Sequence, residues 1–445
     1  MRFKPTMSFW QIINMNVGFF GIQYSFGLQQ NAISPIYTYL GANPDQLPIL
    51  NLAGPMTGLL IQPIIGALSD KTWSPTWGRR KPYFLIGAVL CSICLFAFPF
   101  SSTLWMAAGL LWVLDAGNNT AMEPYRAFVA DKLPEKQHGM GFLTQSFFTG
   151  LGITLASASI FVFQKYIPGK TDWGIPYWAF GSFFVGGFCS IASVLWSVYT
   201  TPEHEPSTEE MDYIALNPHG MWQPFVEIAH AIQHMPAQMW RLALVYLFQW
   251  YALFCYWQFN GSCVAQTIWG VVKKDGIKLT ETETATFGEA SAWASLVNSW
   301  YNVVTFLSAF GLVWLARKYS PRSVHFVCLI MAGLALLVYP HITDKYLLFA
   351  PMTGFGIAWA SMMGVPYLLV SQDIPKERFG VYMGIINMMI VIPMIIQTLT
   401  FGSILKHFLG NNPANAITFG GVLLLIAAIL VLRLENRQVT EEKEI

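Results

Sequence analysis

The sequence predicts an all-α, polytopic membrane protein: 12 transmembrane helices in two pseudo-symmetric halves of six. Three observations predict it. Of 445 residues, 54% are hydrophobic and only 11% are charged, against about a quarter charged in soluble domains. Twelve stretches are long and apolar enough to cross about 30 Å of hydrocarbon, which takes roughly 20 helical residues. A short polar signature also occurs twice, 242 positions apart, at the same place in each set of six stretches. So few charges suit an outer surface that meets lipid, where a central charge costs several kcal/mol. A net charge of +1 gives no reason to expect nucleic acid as a partner.

In the first half the spans read 9–33, 47–69, 81–100, 103–130, 140–163 and 176–200. In the second they read 237–260, 290–316, 322–340, 346–371, 379–403 and 416–434. The expected organisation is an N-terminal six-helix bundle over 1–201, a linker over 202–236, and a C-terminal bundle with a short tail over 237–445. Arg2 and Lys4 precede a long apolar run without a short secretory core and cleavage site, so that run is read as the first span. With both termini inside, 17 Lys and Arg fall on the cytoplasmic side and 7 on the other, the asymmetry of the positive-inside rule.

Within the linker, 222–235 has apolar residues at helical spacing and predicts an amphipathic helix lying on the membrane surface. His230 and His234 share a face there but lack a third ligand. The six cysteines fall nearly all in apolar runs. Cys91-Ser92-Ile93-Cys94 has metal-ligand spacing without a second Cys or His pair, so these thiols are read as small buried hydrophobes. No metal and no cofactor are expected.

Pro124-Tyr125 and Asp131 recur as Pro366-Tyr367 and Asp373, each at the cytoplasmic end of the fourth span of its half. Leu133-Pro134-Glu135-Lys136-Gln137 and Gly139 resemble Ile374-Pro375-Lys376-Glu377-Arg378 and Gly380 after one deletion. Two six-span halves repeated in parallel about an axis along the membrane normal form the plan of major facilitator transporters.

The fourth span carries the chemistry. Asp115, Asn119, Glu123 and Arg126 follow helical spacing and form one polar stripe, with Asn118 beside it. Such a stripe must face the bundle interior or a water-filled cavity. Asp115 lies about 20 Å from the outer end, near mid-depth, and about 16 Å along the axis from Arg126. An acid held from water without a neutralising partner has the property that a proton-coupling group needs. In the second half Ile357, Val365 and Leu368 stand where Asp115, Glu123 and Arg126 stand in the first, so the scaffold does not require those charges. Glu123 and Arg126 are three apart, close enough to pair, and read as gate or coupling residues together with Asp131.

The loop after the second span runs from Gly66 through Asp70 to Gly78-Arg79-Arg80-Lys81-Pro82. Gly66 permits close helix approach, while Asp70, Arg79 and Arg80 can hold helix ends together, a conformational role. Amides and rings at cavity depth comprise Gln23, Gln29, Gln30, Asn31, Asn51, Gln62 and Gln145, then Gln249, Trp250, Trp257, Gln258, Asn298, Trp300, Asn302, Trp359, Asn387 and Gln397. Leaving out Gln29, Trp250, Trp300, Asn387 and Gln397, and adding Asn118 and Asn119, gives the candidate substrate-binding set. Groups that donate and accept, mixed with rings that stack on C–H faces, suit a neutral hydroxylated solute such as a sugar. No Walker loop, HExxH or GxSxG motif occurs, and no catalytic residue is expected.

The run Leu114-Asp115, Asn119, Pro124, Arg126-Ala127 and Ala130-Asp131 resembles the corresponding segment of sucrose transporters and their bacterial and animal relatives. Asp70 with Gly78-Arg79-Arg80-Lys81-Pro82-Tyr83-Phe84, and Ser8-Phe9-Trp10-Gln11-Ile12, are similar to theirs as well. Bacterial members with such short termini are often maltose or sucrose symporters related to the glycoside–pentoside–hexuronide group. The resemblance implies Asp115 as proton acceptor and a transport role for Arg126. The chain departs from the plant proteins at Glu123, where they usually have glycine. It also lacks the acid midway along the second span found in sodium-using melibiose-type carriers. The leading expectation is a monomeric proton-coupled α-glucoside symporter of the bacterial inner membrane, with a small sugar, a proton and the bilayer as its partners. A sodium-coupled melibiose-like carrier and a non-transporting sugar sensor on the same fold are the alternatives.

Overall fold

The computed structural model describes residues 4–40, 50, 53–208, 211–212, 214, 222–271 and 281–435. Among them regular structure is helical, apart from one isolated bridge between Lys170 and Pro176. The chain starts with α1 (Phe9–Leu28), passes through a π-helical segment, Gln29–Ile33, and continues as α2 (Ser34–Tyr39). Then come α3 (Ala53–Asp70), α4 (Lys81–Ala97), α5 (Leu104–Lys132), α6 (Glu135–Tyr166) and α7 (Tyr177–Thr200). A short α8 (Gln223–Gln233) occupies the position expected for the linker helix. The second half holds α9 (Ala237–Trp269), α10 (Glu281–Lys318), α11 (Pro321–Val338), α12 (Phe349–Val370), α13 (Phe379–His407) and α14 (Pro413–Val431). With the first three segments counted as one run and α8 set aside, the described residues supply the 12 expected spans in order.

Local chemistry explains the ends. Ser8 Oγ accepts from Gln11 N at 3.3 Å while Gln11 Oε1 accepts from Ser8 N at 2.8 Å, a reciprocal box that starts α1. Thr103 Oγ1 accepts from Met106 N at 3.2 Å and starts α5. α9 and α10 outrun the predicted 260 and 290, because Gln266, Thr267 and the Glu and Thr residues after 281 continue a helix without counting as apolar. Pro124 and Pro366 interrupt the hydrogen-bond ladders of α5 and α12 at the repeated position.

Among the described residues eight helices are long and apolar enough to cross a membrane by length and composition. The long helices outside that set are α1, α3, α5 and α9. On α5 the cause is plain: Asp115, Asn118, Asn119, Glu123 and Arg126 are all buried, so its polarity is turned inward. Apolar residues take the outer surface instead. Trp105 is 78% exposed, Leu399 78% and Phe408 82%. That arrangement would be costly in water and is at ease among lipid tails, which are as apolar as leucine.

Packing divides the chain into two compact units. One holds Met1–Pro236 together with Val370–Met388; the other holds Ala237–Leu369 and Met389–Gln438. Helix α8 joins the first unit through a buried ion pair between Lys71 and Glu227. The first unit is knit by aromatic contacts along α5: Tyr125 stacks on Phe84 at 4.4 Å and donates its hydroxyl to Met15 O at 2.7 Å. In the second, Tyr251, Phe401 and Phe419 cluster between α9, α13 and α14.

Candidate functional site

The inward stripe of α5 meets α3 and the π-helical segment in one hydrogen-bonded cluster. Asp115 is 1% exposed. Its Oδ1 accepts from Gln29 Nε2 at 3.1 Å, and its Oδ2 accepts from Thr57 Oγ1 at 3.1 Å. Asn119 Nδ2 donates to Thr57 Oγ1 at 3.0 Å and to Asp115 O at 2.9 Å, while its Oδ1 accepts from Gln62 Nε2. Asn118 Nδ2 donates to Ser25 Oγ at 2.9 Å and Gln29 Oε1 at 3.2 Å, and the Cys91 thiol donates to Asn118 Oδ1 at 3.1 Å. Among the described residues no ion pair reaches Asp115. Gly54 makes room for it: a Cβ there would lie 3.3 Å from Asp115 Oδ2.

Sequence reasoning named Asp115 for the proton and Asn118, Asn119 and Gln62 for substrate, but left Thr57 out and set Gln29 aside; all six side chains meet in this cluster. The π-helical segment explains the second omission. Its i→i+5 bonding inserts a residue into the helical register, which turns Gln29 toward Asp115 and leaves Gln30 exposed. Thr57 gives little signal in a sequence, because a helical threonine commonly bonds its own backbone, as this one does to Ala53 O at 2.9 Å.

Toward the basic loops, Glu123 is fully buried, and neither of its carboxyl oxygens has a hydrogen-bond partner among the described residues. Arg126 lies three residues on, near enough for its charge to act on Glu123. The loop motif is fully engaged. Arg80, with a side chain 0% exposed, reaches Asp70 Oδ1 at 2.6 Å through Nη2 and Asp131 Oδ2 at 2.7 Å through Nε. Asp70 also accepts from the backbone N–H groups of Gly380 and Val381, each at 2.9 Å. The spacing between Gly66 and Gly380 leaves no room for a Cβ on either. Arg79 Nε donates to Ser69 O at 3.3 Å. A residue that sequence reasoning missed completes the corner: the Glu203 carboxylate accepts from the N–H groups of Arg79, Arg80 and Lys81 at 2.9–3.2 Å. It satisfies open donors at the start of α4, where a negative charge is favoured.

In the second unit the indoles of Trp250, Trp257 and Trp359 pack mutually edge to face or tilted, with ring centroids 5.6–6.3 Å apart. Tyr301 adjoins Trp359 at 6.3 Å. The indole N–H groups of Trp250 and Trp359, both amide atoms of Gln249 and Asn302 Oδ1 are buried without a hydrogen-bond partner among the described residues. Asn298 is used differently. Its Oδ1 accepts from Tyr256 Oη at 2.6 Å and from Asn260 Nδ2 at 3.1 Å, while Tyr339 Oη donates to Asn260 Oδ1 at 2.7 Å, a chain that ties helices together. Gln258 is exposed and accepts from Gln397 at 3.1 Å.

The remaining candidates are dispersed. Gln23 lies 3.8 Å from Met122 Sδ, Gln145 donates to Tyr125 O, and Asn31 donates to Gly27 O and Ser157 Oγ. Asn51 lies outside the described residues. His230 and His234 stack at 4.1 Å, with Arg378 against His230 at 2.6 Å, and among the described residues no group of His, Cys, Asp and Glu is arranged to hold a metal.

Two repeated sets of six helices, apolar outside and with a buried polar stripe inside, define a polytopic membrane transporter. The chain belongs to the Major Facilitator Superfamily, whose family model matches residues 15–398. It is 24% identical to the sucrose transport protein SUT5 of Oryza sativa subsp. indica, covering 93% of this chain and 85% of that one. It is 25% identical to the sucrose transport protein SUC4 of Arabidopsis thaliana, covering 92% and 88%. Among solved structures it resembles the E. coli fucose:proton symporter FucP, with a TM-score of 0.68 at 14% identity over 96% of this chain and 98% of that one. The proton:xylose symporter XylE, bound to 6-bromo-6-deoxy-D-glucose, gives 0.61 at 14% identity, covering 96% and 95%.

Proposed function

We propose that the protein is a proton-coupled symporter of a small sugar, an α-glucoside disaccharide such as maltose or sucrose, working by alternating access. The observation that carries this reading is Asp115: a buried carboxyl touched by a hydroxyl and an amide and, among the described residues, by no cation. Such a group can take a proton from one side of a membrane and give it up to the other without breaking an ion pair. The plant relatives named as sucrose transport proteins, and the structural neighbours named as proton symporters, support it. Glu123, Arg126 and the Asp70–Arg79–Arg80–Asp131 group act as gate and coupling residues. The basic loops and both termini face the cytoplasm of a bacterial plasma membrane.

The tryptophan group of the second unit supplies sugar recognition. A buried donor left unsatisfied costs about 1–3 kcal/mol, and sugar hydroxyls would satisfy the N–H groups of Trp250 and Trp359 while the rings cover C–H faces. Trp359→Ala is therefore expected to raise the half-saturating sugar concentration about tenfold, or about 1.4 kcal/mol, with the pH dependence unchanged. Radiolabelled counterflow reads both.

The decisive experiment is uptake into proteoliposomes under an imposed pH gradient, with a panel of disaccharides. Accumulation driven by the gradient and abolished by a protonophore is the expected result. Uptake that follows sodium, with sodium replaced by potassium at fixed pH, would instead establish the melibiose-like alternative.

A further inference from the structure

We propose that the Thr57 hydroxyl is the reversible partner of Asp115: it donates to the ionised carboxylate and accepts from the protonated acid, so that both states are satisfied in one arrangement of heavy atoms. The proposal rests on the reading of Asp115 as the coupling acid.

The accounting is local. Thr57 Oγ1 has four polar neighbours: Asp115 Oδ2 at 3.1 Å, Ala53 O at 2.9 Å, Gly54 O at 3.3 Å and Asn119 Nδ2 at 3.0 Å. A hydroxyl offers one hydrogen and two lone pairs. Asn119 is a donor and occupies one lone pair. The hydrogen then has a choice between the carboxylate and the carbonyls of its own helix. While Asp115 is ionised the hydrogen goes to Oδ2, since a charge-assisted bond is the stronger. When Oδ2 carries a proton, the hydrogen turns to Ala53 O and the second lone pair of Oγ1 accepts from Asp115.

Gln29 fixes which oxygen is protonated. Its Nε2 donates to Oδ1 in both states, so the proton belongs on Oδ2, facing Thr57. Asn119 and Gln62 extend the chain from there, which links the state of the acid to amides of α3 and α5. The titratable groups whose charges Asp115 influences are Tyr37 of α2 and Cys91 of α4. Both side-chain types ordinarily stay neutral below about pH 8, so between about pH 5 and 8 neither titrates beside Asp115. Glu123, about two turns further along α5, is that helix's other buried carboxyl, and comparing each Thr57 variant with the wild type holds its contribution constant.

Thr57→Val keeps the shape and removes the hydroxyl; Thr57→Ser keeps the hydroxyl and removes a methyl. The carboxylate loses more than the neutral acid does in the Val variant, because its bond was charge-assisted. The pH of half-maximal uptake is expected to move to the alkaline side by roughly half to one unit in Thr57→Val, with a lower maximal rate as proton release slows. Thr57→Ser is expected to restore the wild-type profile. If the Val variant does not reach the membrane, Thr57→Ala replaces it. A wild-type pH profile in the variant without the hydroxyl, or an equal shift in Val and Ser, overturns the proposal. Asp115→Asn in the same assay separates the two claims: gradient-driven accumulation by that variant sinks the coupling reading, whereas its loss beside an unshifted Thr57→Val sinks only the role of Thr57.

Discussion

Asp115→Asn is expected to stop accumulation against a gradient while leaving downhill exchange within about tenfold of the wild type, the scale of one altered hydrogen bond. An imposed difference of about two pH units supports up to about a hundredfold accumulation at one proton per sugar, since each unit is worth about 1.4 kcal/mol. The variant should stop at equal concentrations inside and out. The geometry favours a clean result. An asparagine can accept from Gln29 through Oδ1 and donate to Thr57 through Nδ2, so it imitates the neutral acid at the positions where the hydrogen bonds are made. One further N–H on Nδ2 is all that is new to the site, and what disappears is the exchangeable proton. Accumulation by Asp115→Asn, measured beside counterflow in the same vesicles, would remove the acid from the coupling scheme.

Arg80→Ala should have the largest effect on stability. Arg80 is fully buried between Asp70 and Asp131, and removing one partner of a buried ion pair costs about 3–5 kcal/mol because the other charge stays behind. Here two carboxylates are left, and Asp70 also holds the N–H groups of Gly380 and Val381. Purified Arg80→Ala is expected to unfold in detergent at a clearly lower temperature. Arg80→Lys should recover only part of the loss, because an ammonium cannot copy the forked geometry that serves two acids at once. Equal melting of Arg80→Ala and wild type would mean that the network contributes nothing to holding these helix ends.

Much of this was legible in the sequence, for identifiable reasons. Span positions follow from a hydrocarbon thickness that every crossing helix must match. Asp115 stood out because a charge at mid-depth is expensive enough to need a reason, and the repeat supplied a control in Ile357. Glu203 and Thr57 were not legible. Glu203 follows the sixth span in a polar stretch and acts on the start of α4, more than 120 residues away in the chain; only the packing brings them together. Gln29 and Gln30 are neighbours with the same side chain, and a π-helical turn decides which one reaches the acid. The amide list could not be narrowed from sequence for a related reason. Amides also fasten helix to helix, as Asn298 and Asn260 do here, and no spacing rule separates that use from ligand contact.

The matched halves have diverged unevenly: the carboxylates of Asp115 and Glu123 in one copy of the fourth helix correspond to Ile357 and Val365 in the other, while the indole triangle sits in the unit without those two acids. On the reading above, energising and recognition are housed apart. Preference for a new glycoside could then evolve by repainting the tryptophan walls alone, with the ion machinery inherited intact. A family of such carriers would be expected to vary in diet far more readily than in power supply.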